Sequence, residues 1–225
     1  AVFASRVGAG ALELSNDLRG VLEPAGAWGK LLVAGRNQLG VALLILDDVR
    51  VSIIDGQIRL VAPERQALLA TQGIARCYLL EERDSHGHTF SLNWFDAAGD
   101  VIGRLFLMSK SGREAALPHI RTFSLPVQTL AWEAGTGPQA PMVEWVDRPA
   151  SHGALAEGTE ASRLGERGVL ACRNAHQMDI EMAGRGVAVR YAGPLSKTFA
   201  TPPAVHATDA GCKLHLRMGG VVSAH

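Results

Sequence analysis

From Lys30 to Val61 the chain sets four short apolar runs in succession: Lys30 to Ala34, Val41 to Leu46, Val49 to Ile54 and Gln57 to Val61. Runs this short and this rich in Val, Ile and Leu read as strands. Gly35-Arg36-Asn37, Asp47-Asp48 and Asp55-Gly56 stand between them, and these residue types turn a chain. The spacing predicts an antiparallel meander. Asp55-Gly56 suits a two-residue hairpin turn because both positions tolerate positive φ.

The pattern continues beyond this block. Ala75 to Glu82 reads as a strand, followed by a polar turn from Asp84 to His88. Thr89 to Phe95 and Val101 to Met108 should pair across Asp96-Ala97-Ala98-Gly99-Asp100. Alternation puts Phe90, Leu92 and Trp94 on one face, and Val101, Leu105 and Leu107 on another. Asp179 to Met182, Gly186 to Tyr191, Leu195 to Phe199 and Lys213 to Arg217 also read as strands. In the last, the leucines point inward and the basic residues outward. Helices are expected over Leu12 to Leu22, capped by Ser15 or Asn16 with Leu18, Val21 and Leu22 on one face, and after a Ser111-to-Glu114 capping box, bent or restarted at Pro118. Gln128 to Pro141 is rich in Gly and Pro and looks like a linker, and Glu157 to Arg173 is polar with helical stretches. Leu32-Val33-Ala34-Gly35-Arg36 and Glu181-Met182-Ala183-Gly184-Arg185 each precede a strand, a short internal echo that suggests a duplicated module and that chance could also produce.

Composition narrows the function classes. Of 225 residues, 47% are hydrophobic and 20% charged, which suits a folded core. Lys+Arg and Asp+Glu number 22 each, so there is no basic excess for general nucleic-acid or anionic-membrane binding. No apolar run approaches the ~20 residues that span a bilayer. Ala1 to Gly10 does not read as a signal peptide, and the missing initiator Met suggests processing or an incomplete start. Cys77, Cys172 and Cys212 form no disulfide framework or zinc knuckle, and read as reduced thiols of a cytoplasmic protein.

Few constellations carry chemistry. His86 and His88 flank Gly87 and could grip a metal, but an exposed turn explains them as well. His206, Asp209 and Cys212 could be a metal or thiol site or ordinary loop residues, and Gly184-Arg185-Gly186 reads as a hairpin turn. No serine nucleophile elbow, paired-carboxylate motif or phosphate loop occurs. Trp145 and His152 are seven residues apart, two helical turns, with Pro149 suited to a helix start between them. A neutral imidazole there could ligate iron, although a surface histidine is the plainer reading.

Several segments together resemble the bacterial hemin-transport (hemin-degrading factor) family. Phe90 to Asp100 is similar to its strand–FFD-x-x-G–strand hairpin, which continues through Arg104-Leu105-Phe106-Leu107 into a helix ending near Arg121-Thr122-Phe123. Ala1 to Val7 resembles the segment before the first repeat's sheet. Gly193-Pro194 and Lys213-Leu214-His215-Leu216-Arg217 resemble strands near the start of the second repeat.

The resemblance implies an α+β fold of two tandem repeats of antiparallel β-sheet with flanking helices, the second abbreviated. It divides the chain into a first repeat over 1–127, a linker with short helices over 128–178 and a partial second repeat over 179–225. It implies haem as cofactor, held between the linker and the second-repeat strands. His152 would be the axial metal ligand, because the family's axial histidine follows a Trp by seven residues. Lys197 falls near a basic position used towards a propionate, and Arg65 is the candidate distal arginine. The family's distal arginine position reads Leu68 here, so Arg65 serves only if the register differs. The segment after His152 is shorter than in the family, and the second repeat stops at His225 before its own hairpin and helix, leaving an edge for the rest of a longer chain or a partner. The implied function is cytoplasmic haem trafficking after import, with haem degradation and a haem-free interaction module as alternatives. The implied partners are a haem oxygenase or a haem ABC importer, and a homo-oligomer is open. No nucleic acid or membrane insertion is implied.

Overall fold

The computed structural model describes residues 10–37, 40–84, 87–126, 137–143, 178–201 and 204–217. Among them the chain makes fourteen strands and two α-helices. β1 (Ala11–Leu14), α1 (Leu18–Leu22) and a 3₁₀ turn over Glu23–Trp28 lead into β2 (Leu31–Arg36), β3 (Gly40–Leu46), β4 (Arg50–Ile54), β5 (Gln57–Ala62), β6 (Arg65–Ala70), β7 (Arg76–Asp84), β8 (Gly87–Phe95) and β9 (Val101–Leu107). After α2 (Lys110–Arg121) come β10 (Met178–Ala183), β11 (Val187–Gly193), β12 (Lys197–Thr201), β13 (Ala204–Thr208) and β14 (Cys212–Arg217). This is the expected α+β class, with antiparallel sheets and helices beside them.

The strands form two sheets, β1-β7-β8-β9-β2-β3-β14-β13-β12 and β10-β11-β6-β5-β4. The meander expected from Lys30 to Val61 is therefore cut in two. β2 and β3 stay in the nine-stranded sheet, while β4 and β5 start the other. The break is at Asp47-Asp48, where Asp48 takes φ 53° and turns the chain across the gap. Asp55-Gly56 makes the expected tight turn, at φ 50° and 74°.

The inner faces of the two sheets share one core. Val33, Leu44, Leu92 and Leu105 come from the larger sheet, and Ile58, Leu60, Leu69 and Val189 from the smaller. Each is an alternate residue of its strand, so the period of two delivers one apolar face per sheet. β10–β14 then repeat the plan of β2–β6, but the two arrays exchange partners. β14 pairs with β3, and β11 pairs with β6, so both sheets contain strands from both halves. The sequence echo marks where the two leading hairpins touch. A Cβ on Gly35 would meet the Val189 methyls at 3.2 and 3.3 Å, and one on Gly184 would strike the Arg36 carbonyl. Asn37 Nδ2 donates to the Ala183 carbonyl across the same junction at 3.0 Å.

Four local expectations change. Ala11–Leu14 is strand, paired with β7, so only Leu18–Leu22 is helical; its cap is Asp17, which accepts from the Gly20 amide at 2.9 Å. Leu18, Val21 and Leu22 are buried as expected. Val101 does not share a face with Leu105: Phe95 pairs with Val101 but Trp94 with Gly103, so the unmatched Ile102 is a bulge that flips the alternation. Val101 packs with Tyr78 and Phe95, and Ile102 joins Leu105 in the main core. The cap of α2 is Ser109, whose hydroxyl accepts from the Gly112 amide at 2.9 Å, and the helix runs through Pro118. β13 was not anticipated: Ala204-Val205-His206-Ala207-Thr208 has only one large apolar residue, and its neighbours in the sheet override its weak pattern.

Candidate functional site

The Asp96 turn between β8 and β9 fastens the segment around Ala140. Asp96 is buried; one carboxylate oxygen accepts from the Asp100 amide at 2.9 Å, closing its own turn, and the other accepts from the Ala140 amide at 3.0 Å. From Ala140 the chain crosses to the smaller sheet, where the Gly186 amide donates to the Pro141 carbonyl and the Val143 amide to the Gly184 carbonyl.

There Val143 covers part of the outer face of the smaller sheet. Arg59, Leu68, Ala188 and Ala183 lie in one row across β5, β6, β11 and β10. Three of the four are apolar and two are alanines, and Val143 packs on Leu68 and Ala188. Arg59 ends the row directly opposite Leu68. Its Nε is buried without a hydrogen-bond partner. A guanidinium left partly unpaired beside an apolar row is a ready donor for a polar or anionic group. Arg59 escaped the sequence reading, although the alternation of β5 placed it outward beside Val61 and Gln57.

The expected site residues are dispersed. His152, with Trp145, lies outside the described residues. Arg65 opens β6, but its guanidinium turns towards the seam between the sheets. Nη1 donates to the Ile45 carbonyl at 2.6 Å and stands 4.0 Å from the Asp47 carboxylate. Lys197 is exposed at the start of β12 in the larger sheet, so it does not share a sheet with Arg65 and Leu68.

Beside Arg65 is a polar junction. The buried Tyr191 hydroxyl lies 2.6 Å from the Pro194 carbonyl and 3.1 Å from the Asp209 carboxylate. Burial, and then Asp209, push the Tyr191 phenol above its ordinary range. Burial raises the Cys212 thiol to about 12 with help from Asp209, and burial raises Cys77 to about 12. Both are free and buried, as the reduced-thiol reading expected; Cys172 lies outside the described residues. Asp209 and Cys212 are thus tied into the fold and form no metal-holding group with His206. The outer face of β13–β14 holds a different pair: His206 and His215 meet across the strands. Burial, then His206 and Lys213, lower the His215 imidazole pKa.

His88 is a β8 residue paired with Arg83, its Nδ1 3.4 Å from Glu81, and its partner His86 lies outside the described residues. Among the described residues no three His, Cys, Asp or Glu side chains gather as a metal cage, and no helix is long and apolar enough to cross a membrane.

A two-layer antiparallel fold in which β10–β14 add to both sheets, with Pro141 to Val143 bound to the outer face of the smaller one, defines a class of duplicated α+β proteins. The haemin-degrading HemS/ChuX domain model matches residues 1–117, and the chain belongs to that family. The fold is similar to that of holo-PhuS, a heme-binding protein from Pseudomonas aeruginosa, at 19% identity over 96% of this chain and 73% of that one, with a TM-score of 0.76. It is also similar to ChuS, a heme degrading enzyme of Escherichia coli O157:H7, at 15% identity over 95% of this chain and 72% of that one, with a TM-score of 0.73. The chain thus spans about three quarters of either relative. No curated protein matches it.

Proposed function

We propose that this protein binds haem and carries it in the cytoplasm after import, as part of iron acquisition. The reading is supported by membership of the haemin-degrading HemS/ChuX domain family and by the likeness to holo-PhuS, described as heme-binding; we place the ring's apolar contact at the Arg59–Leu68–Ala188–Ala183 row. A porphyrin needs flat apolar surface for its ring and cations for its acidic edge. The row supplies apolar side chains, covered by Val143 in this structure, and Arg59 ends it with a buried Nε that has no hydrogen-bond partner. His152 follows Val143 by nine residues, a reach of up to ~30 Å in extended chain, so it is within range of the row. We assign the axial contact to His152, and to Arg59 the distal role that the family gives an arginine near Leu68. We also take 1–127, 128–178 and 179–225 as first repeat, linker and partial second repeat.

Haem, when bound, would supply a redox-active iron. The chain's part is to hold it. His152 would offer a neutral imidazole nitrogen, the row would exclude water from one side of the ring, and Arg59 would donate hydrogen bonds near the other polar groups.

Titration of the purified protein with hemin is expected to give a Soret band that His152→Ala shifts or weakens, and that Arg59→Ala weakens less. Arg65→Ala and Lys197→Ala enter the same series as tests of the distal and propionate contacts. A weaker band in either variant supports that contact, and an unchanged band removes it; in this structure the Arg65 guanidinium donates to the Ile45 carbonyl and Lys197 is exposed on β12. An unchanged band in His152→Ala removes that residue as the ligand, and no band at all leaves a haem-free interaction module. ChuS, described as heme degrading, supports a second reading, an enzyme that opens the porphyrin with reductant and oxygen. Ascorbate added to the complex separates the two: bilin-like products favour the enzyme, and a persistent haem spectrum the carrier. Pull-down with a haem oxygenase or an ABC importer, and sizing of the haem complex, test the expected partners and self-association.

A further inference from the structure

The outer face of β12–β13–β14 carries a histidine pair that the haem reading does not use. His206 on β13 and His215 on β14 are directly opposite in the antiparallel register. Their Nδ1 atoms are 2.6 Å apart and their ring centroids 4.8 Å. Phe199, on β12 and opposite His206, stacks on that ring at 4.9 Å with 20° between the planes, and holds it in place. Two nitrogens this close share one proton: one ring donates Nδ1–H and the other accepts with its lone pair. The rings are thus already aimed at a common point from a paired sheet that fixes both backbones.

We propose that His206 and His215 form a two-imidazole binding site for a divalent transition-metal ion such as Zn²⁺. A metal at the shared point would take the place of the proton. With Zn–N bonds of about 2.0–2.1 Å at a tetrahedral angle, the two nitrogens would sit about 3.3 Å apart, so the rings need to spread by roughly 0.7 Å from their 2.6 Å separation. The proton leaves Nδ1 of the donor ring and is taken up at its Nε2 through solvent. Both imidazoles stay neutral and the metal brings the charge. Imidazole donors select Zn²⁺, Ni²⁺ or Cu²⁺ over the oxygen-seeking Mg²⁺ and Ca²⁺. Among the described residues no third His, Cys, Asp or Glu completes the set, and water would take the remaining positions. Lys213 flanks His215 on the same face of β14, and Lys197 is next to Phe199 on β12; their charge opposes the ion and keeps the site a modest binder.

The experiment uses haem-free protein and ZnCl₂ alone, so it does not depend on the haem reading. Calorimetric titration is run on the wild type, His206→Gln, His215→Gln and His152→Ala, each checked by circular dichroism for an unchanged fold. Glutamine keeps polar atoms at the position but supplies no imidazole. The expected result is a one-equivalent event in the wild type and in His152→Ala that weakens at least tenfold in both glutamine variants. With Cu²⁺ in place of Zn²⁺, nitrogen hyperfine structure from two imidazoles is expected in the wild type and from fewer in either variant. No event in the wild type, or one that survives in either glutamine variant, overturns the proposal.

Discussion

Hairpin β2–β3 has strands on both sides, β9 against β2 and β14 against β3, whereas hairpin β10–β11 is joined on one side, by β6 against β11. Among the described residues the other edge of β10 carries no strand. The difference shows in the outward-facing residues. β2 presents Leu32 and Ala34, while β10 presents Asp179 and Glu181, both engaged by Arg190 of β11, with Asp179 held through two bonds of 3.1 and 2.7 Å. Charges along a rim discourage a stray strand from adding to it. One hairpin plan thus serves as a sheet interior in one half and as a guarded rim in the other, and charge on the solvent side distinguishes the two.

Amide exchange should give the largest contrast. The β2 amides are expected to be protected to near the global unfolding limit, and the β10 amides that face away from β11 to exchange orders of magnitude faster. Equal protection in the two strands would mean that β10 has a neighbour, in solution, like the one β2 has. Gly184→Val should come next. Its new carbon meets the Arg36 carbonyl, backbone that cannot step aside, and about 3 kcal/mol of stability is expected to be lost in urea unfolding. Gly35→Ala meets only side-chain methyls, of Val189 and Val187, and should cost about 1 kcal/mol. Equal losses would show that the two glycines play the same part.

Asp96→Ala touches hairpin β8–β9, for which β10–β14 have no counterpart among the described residues. It frees the Asp100 and Ala140 amides together, and a loss of about 2 kcal/mol is expected, with faster exchange at Ala140. Faster exchange at Asp100 alone would show that Asp96 does not hold the Ala140 amide in solution. The smallest effect should be at the thiols, one in each half. Cys77 and Cys212, both pushed up to about 12, should resist iodoacetamide at pH 8 in the native protein and react in denaturant. Native labelling of Cys212 alone would mark the second half as the looser one.

Much of the strand content was legible because apolar runs and turn residues alternate along the chain. Asp55-Gly56 and the Phe90-Leu92-Trp94 face came directly from turn chemistry and period two. The exchange of partners was not legible. Nothing local in Val187 to Tyr191 says that it pairs with β6 and not with β12, since that choice is made by the core the two sheets share. The bulge at Ile102 was hidden for a similar reason: its two neighbours are matched by partners on β8, and only the opposite strand reveals the extra residue. At the candidate site, Leu68 stood out as a departure from the family pattern. Arg59, its cross-strand neighbour, did not, because adjacency between strands has no trace in a linear reading. The same holds for His206 and His215, nine residues apart in sequence and in contact in the sheet.

The exchange of strands also governs when this chain can fold. Cys212 pairs with Leu44, about 170 residues earlier, and Val187 with Leu69, about 120 residues earlier. During synthesis β3 and β6 leave the ribosome with one lateral neighbour missing each, and they must wait for the distant half to emerge. Closing such long loops precedes any gain from the contacts, which makes assembly slow and keeps two adhesive edges open to the crowded cell in the meantime.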